Sequence, residues 1–189
     1  MKILVTGFEP FGGEKTNPSW EAVQLLPAMI SNASIHALRL PVVFGQCGEM
    51  LRQTIQAIHP DAVLLCGVAA SRTEITPELL AVNWRMGAIA DNSGMLYQGE
   101  KICPDGPDAI MTDFPVTNMV TALQDAGIPA RLSLSAGAYV CNDLYYAALG
   151  MQQSLGLRAL FVHVPSTSAL PVDDIARALR LCLETMIHA

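Results

Sequence analysis

Lys2-Ile3-Leu4-Val5-Thr6-Gly7 follows Met1 and decides how the rest of the chain is read. It is a short apolar run without polar alternation, closed by a glycine. A strand buried on both faces has that composition, whereas a strand with one wet face alternates. Working outward, the same unit recurs. Ala62 to Cys66 is a second such run, ending at Gly67, and Ala159 to Val164 is a third, followed by Pro165. Ile35 to Phe44 and Arg131 to Ser135 also read as strands. Helical patterns fall between them. One opens at Asn17-Pro18, where Asn17 can cap and Pro18 suits the first turn. Others run from Gly48 to Ile58, stopped by His59-Pro60; from Asn118 to Ala126, stopped by Gly127; from Asn142 to Met151; and from Val172 to Ile187. Alternating strands and helices predict an α/β fold, a three-layer α/β/α arrangement with a mostly parallel, twisted central sheet. The length of 189 residues fits one domain over 1–189. The stretch from Ala69 to Phe114 breaks the alternation and is rich in turn residues. A long irregular segment in a compact domain usually serves function.

Composition narrows the function classes. Hydrophobic residues make up 51% and charged residues 15%, with a net charge of −6. An acidic chain with no basic run lacks the electrostatic footprint of a nucleic-acid binder. No stretch approaches the apolar length of a membrane span, and the N-terminal run is too short for a signal-peptide core. A cytoplasmic location is therefore expected. The five cysteines, an odd number, include no C-x-x-C pair, so neither a disulfide framework nor a metal or other cofactor is expected. The apolar surplus points to a subunit interface and so to a homo-oligomer.

In open α/β sheets, ligands bind beyond the carboxyl ends of the strands. After the first strand comes Thr6-Gly7-Phe8-Glu9-Pro10-Phe11-Gly12-Gly13, which matches no phosphate-loop pattern. Its two phenylalanines either plug the core or flank a flat, apolar ligand. After Arg131–Ser135 comes Ala136-Gly137-Ala138-Tyr139-Val140-Cys141-Asn142. Cys141 lies at a predicted helix start, with Asn142 and Asp143 in capping territory. There the positive end of the helix dipole favours a thiolate, which makes Cys141 the nucleophile candidate among the five. Cys66 and Cys182 read as core residues. Of the four histidines only His163 interrupts a buried strand, and a polar ring there must be hydrogen-bonded or functional. Both residues fall near carboxyl ends of strands, so a Cys–His pair is feasible. A third, orienting group is not selected by periodicity: Glu74, Glu78 and Asp91 all remain open.

The chain resembles the pyroglutamyl-peptidase I (pyrrolidone-carboxylate peptidase) family of cysteine peptidases along essentially its whole length. Three segments carry the resemblance. They are Thr6-Gly7-Phe8 through Asn17-Pro18-Ser19-Trp20-Glu21-Ala22-Val23; Gly67 to Asn83, with Ile75-Thr76-Pro77-Glu78; and Ser133 to Asn142, followed by His163-Val164-Pro165. The resemblance implies Cys141 as nucleophile, His163 as its base and Glu78 as the third member. It implies that Phe8 and Phe11 flank the pyroglutamyl ring, with Asn17, Ile89 and Val140 lining the same pocket. It implies peptides with an N-terminal pyroglutamate as substrates, no metal, and a dimer or tetramer. The sequence departs from the family pattern at Val68, where Gln is usual, at Leu79, where a basic residue is usual, and at Ala88, where Arg is usual. Two alternative readings therefore stand beside the first. One is an amidase or peptidase of the same fold with altered acyl specificity; the other is a non-catalytic oligomeric binding protein.

Overall fold

A computed structural model describes residues 1–189, the side chains of residues 153 and 154 excepted. Eight strands and six helices follow in the order β1 (Lys2–Phe8), α1 (Pro18–Gln24), β2 (Met29–Ile30), β3 (Ala33–Leu40), α2 (Gln46–Ile58), β4 (Ala62–Val68), β5 (Thr76–Pro77), β6 (Leu80–Val82), β7 (Ala109–Met111), α3 (Val116–Asp125), α4 (Val140–Gly150), α5 (Gln152–Leu155), β8 (Arg158–Val164) and α6 (Val172–Ile187). The main sheet has the order β2-β3-β1-β4-β8-β5. Its four central strands are parallel, and the two short edge strands, β2 and β5, run antiparallel. β6 and β7 form a separate antiparallel pair.

The continuous apolar runs work as expected of strands covered on both faces. On β1, β4 and β8 alternate side chains feed two cores. Ile3, Leu64 and Val162 join α1, α3 and α6 on one side. Leu4, Val63 and Phe161 join α2 and α4 on the other. This is the three-layer arrangement that the sequence predicts. Gly7 is required by the packing of α1 on β1, because a Cβ there would lie 2.7 Å from the Trp20 Cα.

Several boundaries differ from the sequence reading. β3 begins at Ala33 and stops at Leu40, not Phe44, because Pro41 has no N–H to continue a ladder. Arg131–Ser135 is not a strand of the sheet. That segment is extended but touches β5 only through isolated bridges, Ile75 with Ala130 and Glu78 with Ser133. The expected irregular stretch from Ala69 to Phe114 carries three short strands, β5, β6 and β7. α4 begins at Val140, two residues earlier than expected, so Asn142 and Asp143 lie inside its first turn and do not cap it.

Candidate active site

Strand register brings the candidate residues together. Gly67 on β4 is the direct neighbour of His163 on β8. Strand alternation sends His163, two residues after Phe161, to the α4 side of the sheet. On β4 the equivalent position is glycine, which leaves a hollow on that face, and the Cys141 sulfur occupies it. A Cβ on Gly67 would lie 2.8 Å from Cys141 Sγ and 2.8 Å from the tip of the Phe161 ring. Thiol and imidazole thus flank one glycine. Among the described residues, the imidazole's hydrogen bond goes to Glu78 and the sulfur is not bonded to it. Such contacts commonly tighten only once substrate is bound.

Glu78 reaches the imidazole from the sheet edge. The backbone turns out of β5 with Glu78 N–H donating to the Phe161 carbonyl at 2.9 Å and Leu79 N–H to that of Ser133 at 2.8 Å. The carboxylate Oε1 then lies 2.7 Å from His163 Nδ1. Glu78 is fully buried and His163 is 5% exposed. A carboxylate only accepts, so Nδ1 carries the proton and Nε2 is left as the free base. Burial pulls the imidazole below its usual 6.5, and Arg72 adds to this, while the Glu78 bond and charge push back. Glu74, the second open carboxylate, pairs instead with Arg131 at the surface. Asp91, the third, accepts from the backbone N–H of Phe44, Ser93 and Met95. It braces a loop.

Cys141 is the second residue of α4, and no side chain caps that helix start. The first N–H groups of a helix have no partner within it, so those of Val140 and Cys141 face outward. Asn142 fixes this start by accepting from Val82 N–H and donating to the Val82 and Trp84 carbonyls. Asp143 accepts from Gly45 N–H and from Arg85. The thiolate favoured by the helix start meets an opposing influence. Burial, with the Glu78 charge second, pushes the Cys141 thiol up to about 12, against the pull of Arg72 and its own N–H. Desolvation thus opposes the helix dipole at this thiol and, on the imidazole, opposes the Glu78 charge. Cys66 and Cys182 are buried, as expected of core thiols.

Beside the sulfur lies a small, partly open cavity lined by Phe8, Phe11, Asn17, Val42, Val68, Tyr139, Val140 and Cys141. Four of the five expected binding residues line it. Ile89, the fifth, is half exposed and is not part of the lining. Val42, Val68 and Tyr139 complete the wall, although no periodic signal marks them. Asn17 is committed to structure: its Nδ2 donates to the Glu9 carbonyl, and its Oδ1 accepts from Ser19 N–H and Oγ. Tyr139 Oη donates to the Ala90 carbonyl. The cavity therefore offers apolar walls, with the thiol at its edge. No cluster of metal-ligating side chains occurs among the described residues, and no described helix is long and apolar enough to cross a membrane.

A family model described as pyroglutamyl peptidase matches residues 1–189. The chain belongs to the pyroglutamyl peptidase family. It is 46% identical over 201 residues to a pyrrolidone-carboxylate peptidase of Levilactobacillus brevis, a match covering 100% of this chain and 98% of that one. Among solved structures, pyroglutamyl peptidase I of Bacillus amyloliquefaciens superposes with a TM-score of 0.93 at 37% identity, covering 97% of this chain and 95% of that one. Pyrrolidone carboxyl peptidase of Pyrococcus furiosus gives 0.95 at 34% identity, covering 100% and 99%.

Proposed function

We propose that the protein is a cysteine exopeptidase that removes an N-terminal pyroglutamyl residue from peptides. The observation that carries this reading is the Cys141 sulfur seated over Gly67, the register neighbour of a buried, Glu78-bound His163. The pyroglutamyl ring enters the apolar cavity between Phe8 and Phe11, and its exocyclic carbonyl meets the sulfur. His163 Nε2 takes the thiol proton as the sulfur attacks, since burial pushes the thiol up. The N–H groups of Val140 and Cys141 receive the developing oxyanion. His163 then protonates the departing amine, leaving a thioester on Cys141. Water, deprotonated by the same nitrogen, hydrolyses that thioester and releases pyroglutamate. Glu78 holds the tautomer and stabilises the imidazolium formed in each half-reaction. Each step is carried by protein groups, with no metal assigned.

A fluorogenic pyroglutamyl amide tests the reading. It should be hydrolysed, while the prolyl amide, whose charged amine has no partner in an apolar cavity, should be left intact. Absence of pyroglutamyl turnover would overturn the reading. A family match over the full length, with thiol, imidazole and carboxylate all retained, disfavours a non-catalytic binding protein and gives no support to a different acyl group.

The same reading includes one domain over 1–189, supported by a sheet that takes strands from both ends of the chain. It includes a cytoplasmic location, for which the free cysteines are suited. It also includes a dimer or tetramer, supported by the exposed Trp84, Met86, Ile89, Met95 and Leu96 on one loop. Sedimentation of the purified chain should give an oligomer; a monomer at micromolar concentration would contradict it.

A further inference from the structure

We infer that Arg72 is a positioning residue for the proposed reaction: its guanidinium clamps the buried Glu78 carboxylate and keeps Oε1 aimed at His163 Nδ1. The inference rests on the peptidase reading above. Arg72 Nη1 donates to Glu78 Oε1 at 2.6 Å and also to Thr76 Oγ1. Its own backbone N–H is tied to the Ala69 carbonyl at 2.9 Å. Thr76 Oγ1 in turn reaches the His163 carbonyl at 3.4 Å. The guanidinium therefore ties the carboxylate to Thr76 of β5, whose hydroxyl in turn reaches β8.

Glu78 needs such a partner. Its side chain is fully buried, Oε1 receives both the imidazole and Arg72, and Oε2 has no hydrogen-bond partner among the described residues. The groups facing it are Thr76 from β5, His163 and the Phe161 carbonyl from β8, Cys141 and Tyr145 from α4, and Ser133 from the extended segment. Arg72 is the lysine or arginine in ion-pair contact with it among the described residues, and a guanidinium stays charged throughout the working pH range. Without this cation, a buried carboxylate is compensated only by a proton. If the imidazole holds that proton, Nε2 is no longer a base. If Glu78 holds it, Nδ1–H keeps only a neutral, weaker acceptor that no longer stabilises the imidazolium. The first route removes the base that activates the thiol, and the second weakens it. The directions at the site agree: the Arg72 charge lowers both His163 and Cys141.

The test is the pH profile of kcat/KM on the pyroglutamyl amide for full-length Arg72→Met and Arg72→Lys. Arg72→Met should lose on the order of 100-fold, part of what a general base contributes, and its acid limb should move to higher pH. Arg72→Lys keeps the charge, so its acid limb should stay in place while the rate recovers in part. In a Glu78→Gln background, Arg72→Met should cause no further shift, because the two act as a unit. A loss of rate with an unmoved acid limb, or full activity in Arg72→Met, would overturn the inference. Should Arg72→Met fail to fold by circular dichroism, Arg72→Lys decides: a displaced acid limb there overturns it. Wild-type turnover in the same assay separates the two readings, since its absence would sink the peptidase reading itself.

Discussion

Cys141→Ser is expected to lower kcat/KM on a pyroglutamyl amide by at least about 10³-fold, the scale on which nucleophile replacements act. Cys141 is partly buried in the first turn of α4, and Ser is nearly its isostere, so the fold should be retained. The cavity of Phe8, Phe11 and Val140 should still bind pyroglutamate. What is lost is chemical. A hydroxyl is a poorer nucleophile, and the hollow over Gly67 holds the attacking atom in one place, so the smaller oxygen sits further from its target. Steady-state kinetics with a parallel circular dichroism spectrum checks this. Activity within about tenfold of wild type would remove Cys141 from the mechanism, because a residue that forms the acyl bond cannot be so dispensable.

His163→Asn is expected to cost on the order of 10³-fold and to abolish the acid limb of the pH profile. The sign follows from the site. The working form is the neutral imidazole, and burial, the larger influence, holds its pKa below the usual 6.5. In wild type the base form is therefore retained as pH falls through 6.5. It is lost only as pH falls through the lower folded value. The acid limb of the activity profile should have its midpoint below 6.5. Asparagine does not titrate, so the small residual rate should show no such decline. A wild-type limb centred above 6.5 would mean that the Glu78 bond dominates over burial and that the pair rests as an ion pair.

Much of this was legible in the residues. The strands of the sheet centre are runs of apolar residues because both faces are covered, so Lys2–Thr6, Ala62–Cys66 and Ala159–Val164 fall inside β1, β4 and β8. His163 stands out for the same reason: a polar ring in a dry strand has to be used. The sheet edge was less legible. Arg131–Ser135 has strand-like composition, but β5 fills the place beside β8, and the segment is left with isolated bridges. β5 is two residues long and has no period to detect. Glu78 and Arg72 are placed by that edge and by tertiary turns, so residue chemistry alone could not choose Glu78 from Glu74 and Asp91. The resemblance did. The charge state of Cys141 was also beyond the sequence, since a helix start favours the thiolate while burial, visible only in the fold, favours the thiol. The orphan N–H groups at that helix start follow from α4 beginning at Val140, a boundary displaced by two residues from the pattern.

The most direct test of the account is to catch the acyl group on the sulfur. The enzyme would be mixed with a pyroglutamyl ester, whose alcohol leaves faster than the thioester is hydrolysed, and quenched with acid during turnover. Peptide mapping by mass spectrometry should find one pyroglutamyl group added to Cys141 and none in the Cys141→Ser protein. Turnover with no adduct on Cys141, or with the adduct on another residue, would contradict it.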